Sequence, residues 1–433
     1  MRRKGLVILK KFTSLLAALA LLLTAAAMIP ASAATLSPAL HLLAAEQEMA
    51  KSGLMYDEIE FSAEDFSRAL NLSKFATITV NTLPPAEEGR LKLGQSDVYA
   101  GQVIARNQLN VLRFVPAADA VTESSFTFSC DERGYSVNCS LYLLSALNFS
   151  PTVELADAQA LSVSTHRSVS CFGNLPAYDP EGDALTYEIV TQPKKGTVTL
   201  LDASNGDYRY TPADGKSGRD SFRYVVHDKY GNYSAAATVT VEITRPSTSI
   251  VYADMQDHWA CNAALTMTER GIMQGRQVGS LCYFDPGATV SRGDFLVMAM
   301  NVLGITDVPT VTNTGFADDA EIPAAMKGYV AAAVELGYVQ GRTVDGKQIF
   351  AANDTITRAE AAVMLGNMLD PAVPTVKPIF ADASGVPEWA YDALSALNAI
   401  GVFRGTGSGM IAANSLITRA QTAQILCAVD ALQ

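Results

Sequence analysis

Three arginines recur in one local setting: Arg292 in "VSRGD", Arg358 in "ITRAE" and Arg419 in "ITRAQ". Each follows a residue suited to cap a helix, Ser291, Thr357 or Thr418. Three positions after that cap stand Asp294, Glu360 and Gln421. A Ser or Thr followed by an acid or amide at that distance is the capping box, with Asp a close relative. The arginines therefore take the first helical position. A cation there opposes the helix dipole by roughly 0.3–1 kcal/mol, so helix formation alone does not select it three times. A planar fork beside free N–H groups suits an anion, above all a carboxylate. Pairing with an acid of the same chain uses the same fork.

The elements around the arginines repeat as well. From Tyr252 onward a unit recurs about every sixty residues, over 252–306, 314–370 and 378–433. Each unit opens on an aromatic-Ala-Asp triplet carrying Asp254, Asp318 or Asp382. A run with helical period follows. It ends at a glycine before two apolar residues, in "GIMQG", "GYVQG" and "GVFRG". Gly271, Gly337 and Gly401 read as left-handed helix stops. A loop then leads to Phe284, Phe350 or Ile411, eight residues before the arginine, and a second helix begins.

These three units resemble S-layer homology repeats. The resemblance rests on the aromatic-x-Asp opening, on "HWA" at His258–Ala260 and "EWA" at Glu388–Ala390, on the glycine pair after the first helix, and on the arginine motif. It covers about 180 residues. It implies a pseudo-threefold all-α bundle and non-covalent anchoring to secondary cell-wall polysaccharide, often through a pyruvylated amino sugar whose ketal carries a carboxylate. On that basis Arg292, Arg358 and Arg419 are expected to receive a sugar acid in grooves between repeats. Trp259 and Trp389 would stack on sugar faces, and Asp254, Asp318 and Asp382 would bond hydroxyls or orient the arginines. Core packing is the other reading of the tryptophans. The units depart from the pattern at Ala325, where Trp is expected, at Gly293–Asp294 and at Gln421, so unequal grooves are expected.

Ahead of the repeats the period changes to two. Short alternating runs broken by turn residues predict two β-sandwich modules, at 57–154 and 155–245, after a helical leader at 34–56 and before a linker at 246–251. "FVPAADAVTESSFTFSCDERGYSVNCSLYL" aligns with "YTPADGKSGRDSFRYVVHDKYGNYSAAATVTV", which points to tandem copies of one fold. The alignment puts Cys130 and Cys139 at core positions, as buried thiols or as a cross-strand disulfide. The pattern, and "YDPEGDALTYEIV" above all, resembles bacterial cadherin-like and Ig-like modules. Asp179, Glu181 and Asp183 alternate in a tight turn there. They can converge on Ca²⁺, or simply form a solvated acidic turn. No other cofactor is implied.

The first 33 residues carry five basic side chains, an apolar run and "ASA", the pattern of a secretory signal peptide. Its removal takes five positive charges from a chain already at −12, which disfavours nucleic acid and anionic lipid. No second long apolar run points to a membrane. From Tyr252 on there are 10 Lys and Arg against 18 Asp and Glu. Binding an acidic polymer must then rely on preorganised arginines and not on a basic field. The sequence contains no nucleophile elbow, zinc-helix motif or phosphate loop. Four scattered histidines suggest no catalytic group. The expectation is a secreted, non-enzymatic surface protein anchored to the wall, with its β-modules as spacer or adhesive surface. The alternative is an enzyme with its catalytic site in the β region, tethered by the repeats.

Overall fold

The computed structural model describes residues 47–117, 121–153, 161–374, 380–405 and 409–433. The expected signal segment lies outside the described residues. The chain divides into two compact units. The first comprises residues up to Thr152 with two further loops, 179–185 and 227–234. The second holds the rest.

In the first unit the strands run β1 (Gln47–Leu54), β2 (Ile59–Glu60), β3 (Thr77–Thr82), β4 (Gly89–Leu93), β5 (Ser96–Asp97), β6 (Val103–Ala105), β7 (Leu112–Pro116), β8 (Glu123–Ser129) and β9 (Ser136–Leu144). One sheet has the order β1-β9-β8-β3-β6 and the other β2-β7-β4-β5. Alternation decides which side chains face in: along β9 every second residue, Val137, Cys139, Leu141 and Leu143, is buried. Helix α1 (Ala63–Leu70) starts at a capping box of Ser62 and Asp65 and ends at Asn71 in the left-handed region. It drives Phe66 against Phe128, with ring centroids 4.9 Å apart. Of the leader expected as helix at 34–56, the described residues are strand over Gln47–Leu54 and then a turn. β1 pairs parallel with β9 along its whole length, and a sheet edge outcompetes the weak helical pattern.

Cys130 and Cys139 are buried and free, so the buried-thiol reading holds and the disulfide does not. Burial, then a hydrogen bond to Glu132, pushes the Cys130 thiol up to about 11. Burial raises Cys139 too.

The second unit opens with a sandwich built from β10 (Leu161–His166), β11 (Cys171–Asn174), β12 (Thr186–Thr191), β13 (Gly196–Asp202), β14 (Asp207–Pro212), β15 (Gly218–His227) and β16 (Ala237–Thr244). Its sheets are β10-β16-β15-β12 and β11-β14-β13. As in the first module, the opening strand pairs parallel with the last, and the last runs antiparallel to the one before it. Tyr208, Tyr210, Phe222 and Tyr224 fill the space between the sheets.

The repeats that follow correct the expected all-α bundle. Each of the first two holds a helix, a β-hairpin and a second helix. These are α2 (Cys261–Glu269), β17 (Arg276–Val278), β18 (Leu281–Tyr283) and α3 (Arg292–Val302), then α4 (Ala324–Glu335), β19 (Arg342–Val344), β20 (Lys347–Ile349) and α5 (Arg358–Leu369). The third contributes α6 (Glu388–Ala399) and α7 (Arg419–Asp430). The hairpins arise because the inter-helix segments carry turn chemistry. Asp345 and Gly346 both adopt positive φ, as a tight two-residue turn requires, and Gly279 does so in the first repeat. Isolated bridges also join the repeats, at Thr289–Thr418, Ser291–Thr355 and Thr357–Leu416. Gly271, Gly337 and Gly401 have φ of 70°, 75° and 75°, the expected helix stops. Phe284, Phe350 and Ile411 are fully buried in the shared core.

Candidate functional site

The site is built from one construction used three times. Each opening aspartate reaches across its repeat to the loop before the second helix. Asp254 accepts from the backbone N–H of Phe284 at 2.8 Å and of Asp285 at 2.7 Å. Asp318 accepts from Phe350 and Ala351, and Asp382 from Ile411 and Ala412, all at 2.8 Å. The second donor in each pair, Asp285, Ala351 or Ala412, has φ of 54°, 60° or 52°. A residue with a Cβ pays about 1–2 kcal/mol for that conformation, and the carboxylate fork compensates it. Burial raises the Asp382 carboxyl, but the two amide bonds outweigh it and hold the group below the usual range. The aspartates therefore brace the loop. They do not pair with the arginines.

The arginines take their partners from the next repeat, and the third takes its partners from the first, so the contacts close a ring. Arg292 donates through Nη2 to Gln340 O at 3.2 Å and lies over the Phe350 ring at 5.4 Å. Arg358 donates through Nε to Ile411 O and through Nη2 to Arg404 O, both at 2.9 Å, over the Phe403 ring. Arg419 donates through Nε to Phe284 O and through Nη2 to Gln274 O, both at 2.8 Å, over the Phe284 ring at 4.7 Å. None of the three forms an ion pair among the described residues.

The free helix N–H groups expected to attract an anion are already occupied. Arg292 N and Gly293 N donate to Asp354 O and Ala352 O, Arg358 N and Ala359 N to Ser415 O and Ala413 O, and Arg419 N and Ala420 N to Ala288 O and Pro286 O. The third N–H of each helix goes to the capping hydroxyl. Arginine at these positions is explained first by the ring. A guanidinium satisfies carbonyls of the neighbouring loop, and these offset the unfavourable dipole.

Exposure separates the three. Arg292 and Arg358 are 7% and 6% exposed, and burial pushes both guanidinium pKa values down. Arg419 is half-buried and lines a solvent-facing cleft of about 590 Å³ between the third and first repeats. Asp254, Arg276, Asp285, Gly287 and Ala288 line it too. Asp318 and Asp382 do not. Trp259 and Trp389 are 41% and 61% exposed, so neither belongs to the core; both stand outside the residues lining this cleft. Arg276 and Asp285 carry no signal in the sequence, because they lie in a short hairpin and a loop outside the repeated motif.

The acidic turn of the cadherin-like segment assembles differently from the expected trio. Carboxylate oxygens of Asp179, Asp183 and Asp228 lie within 4.8 Å of one another. Glu181 is not in that group, and its Oε2 accepts instead from Phe149 N at 3.2 Å. Asp179 is 5% exposed; its Oδ1 accepts from Glu181 N and Asp183 N, while its Oδ2 has no partner. Asp228 comes from the loop after β15 and accepts from Asn148 Nδ2 at 2.6 Å. An orphaned, buried carboxylate oxygen facing two further acids is the donor set a hard divalent cation takes.

Comparison with known proteins identifies the domains. The S-layer homology domain matches at residues 251–296, 315–362 and 379–423, and the bacterial cadherin-like domain at 148–245. The chain carries three S-layer homology repeats behind a bacterial cadherin-like domain. The Surface-layer 125 kDa protein of Lysinibacillus sphaericus is 33% identical over 129 residues, covering 29% of this chain and 10% of that protein. An amylopullulanase of Thermoanaerobacterium thermosulfurigenes is 23% identical over 263 residues, 59% of this chain and 13% of its own. The exoglucanase XynX of Acetivibrio thermocellus is 25% identical over 185 residues, 41% of this chain and 16% of its own. The chain thus spans between a tenth and a sixth of the length of these relatives. With the repeats in place, the chain is a secreted surface protein anchored to the cell wall.

Proposed function

We propose that the cleft between the third and first repeats holds an acidic, pyruvylated wall polysaccharide, and that the β-modules act as spacer or adhesive surface. One observation carries this reading. Of three equivalent arginines, two are buried in the ring and Arg419 faces an open cleft. Arg419 spends Nε and Nη2 on carbonyls, which leaves Nη1 for a ligand carboxylate. The half-exposed Trp259 and the exposed Trp389 offer stacking faces for further sugars. The anchoring is non-covalent and the chain itself is not an enzyme.

The test is co-sedimentation of the full chain with purified wall sacculi before and after chemical removal of the secondary polymer. Binding is expected to native sacculi and to disappear from stripped ones. Equal binding to both overturns the reading. The glycosidase names of two relatives favour a second reading, in which these repeats tether a catalytic site. Release of reducing sugar from pullulan or cellulose by the full chain would establish it.

In the same reading Asp179, Asp183 and Asp228 hold Ca²⁺, with Asn148 beside them. Neutralising three clustered acids lets the loops 179–185 and 227–234 close without repulsion.

A further inference from the structure

The cleft contains a second guanidinium that the repeat motif does not supply. Arg276 opens β17 and donates through Nε and Nη2 to the two oxygens of Asp285, both at 3.0 Å. The two side chains are 61% and 37% exposed. The other repeats do not reproduce this pair. In the second, Arg342 occupies the same place but is held by Asp354 at 3.0 Å and by Glu360, and Ala351 stands where Asp285 stands. In the third, Ala412 takes that position. Two alanines at left-handed positions show that the loop does not need an acid there.

Asp285 therefore lines the cleft together with two guanidiniums, Arg276 and Arg419, and is bonded to the first of them. Its carboxyl is held below the usual range by the Arg276 hydrogen bond, and Arg419 adds to the effect. An exposed bidentate pair of this kind contributes little to folding and exchanges readily. Among the described residues the Arg276 guanidinium otherwise meets only the Tyr283 ring, 5.8 Å from its centroid.

We propose that Arg276 is a second anion-recognising residue of the cleft and that Asp285 is an internal stand-in for the carboxylate of the ligand. A sugar carboxylate takes the place of Asp285 on the Arg276 fork, Asp285 turns to solvent, and Arg419 closes on the same ligand. The cleft then selects a sugar carrying one carboxylate over a neutral sugar. This deepens, and rests on, the reading that the cleft between the third and first repeats is the polymer site.

The test is calorimetric titration of the full chain with the methyl glycoside of a pyruvylated amino sugar and with the methyl ester of the same compound. Wild type binds the acid and not the ester. Arg276→Ala weakens binding about tenfold or more, and Arg276→Lys less, since it keeps the charge and loses the fork. Asp285→Asn tightens binding about threefold or more, and gives no gain when Arg276 is already alanine. Tryptophan fluorescence confirms that each variant folds. Arg276→Ala and Asp285→Asn both binding like wild type, while Arg419→Ala loses affinity, overturns the role of Arg276 and leaves the cleft reading standing. An Asp285→Asn variant that binds more weakly overturns the stand-in. Wild type taking acid and ester alike, with Arg419→Ala unchanged, overturns the cleft reading itself.

Discussion

Replacing Arg358 by alanine tests whether the arginines hold the ring together. The side chain is 6% exposed and donates to Ile411 O and Arg404 O. Its removal leaves two acceptors of the neighbouring repeat without a donor, and each such loss costs about 1–3 kcal/mol. The contact with the Phe403 ring adds about 0.5–2 kcal/mol. Water entering the gap returns part of this, so the expected loss is about 3 kcal/mol. For a region of this size that lowers the melting temperature by about 6–12 °C. The assay is unfolding followed by tryptophan fluorescence, which reports on the repeats because the chain's two tryptophans both lie there. Arg419→Ala is expected to lose only about 1–2 kcal/mol, since water can reach its half-exposed site. An Arg358→Ala protein that melts within about 1 °C of wild type would refute the staple.

Three further outcomes follow from the same geometry. Ala412→Gly relieves the left-handed strain at φ 52° and should stabilise the repeats by about 1 kcal/mol, whereas Asp382→Ala removes both amide acceptors and should cost about 2–3 kcal/mol; urea midpoints check both. Ca²⁺ at 1 mM should raise the melting temperature of wild type relative to chelator, and Asp228→Asn should abolish the shift. Lys327 and Thr314 hold the Asp319 carboxyl down at about 2, below its ordinary value near 3.8. Its contribution is therefore complete above that ordinary value and fades as pH falls towards 2; carboxyl NMR titration should show the low midpoint, and Lys327→Ala should raise it, with the Thr314 bonds still holding it below the usual range.

The arginine helices were legible because capping is a local matter: Thr357 and Glu360 make the reciprocal bonds that their spacing predicts. The glycine stops were legible for the same reason. The hairpins were missed although "DG" at Asp345–Gly346 is a turn signal, because a three-residue strand carries too few alternations to register as a period. Partners distant in sequence were beyond reach. Asp228 lies far along the chain from Asp179, so local spacing groups Glu181 with Asp179 and Asp183 in its place. The bonds of Arg292, Arg358 and Arg419 to carbonyls of the following repeat were beyond reach as well, because carbonyls leave no trace in residue type. The leader strand β1 depends on pairing with β9, an edge that local propensity cannot foresee.

The most direct measurement compares Arg419→Ala with Arg358→Ala in sacculus co-sedimentation, at a temperature where both variants are folded. Loss of binding confined to Arg419→Ala is the predicted result. Wall binding kept by Arg419→Ala, or lost equally by a folded Arg358→Ala, would contradict the assignment of the polymer to the open cleft.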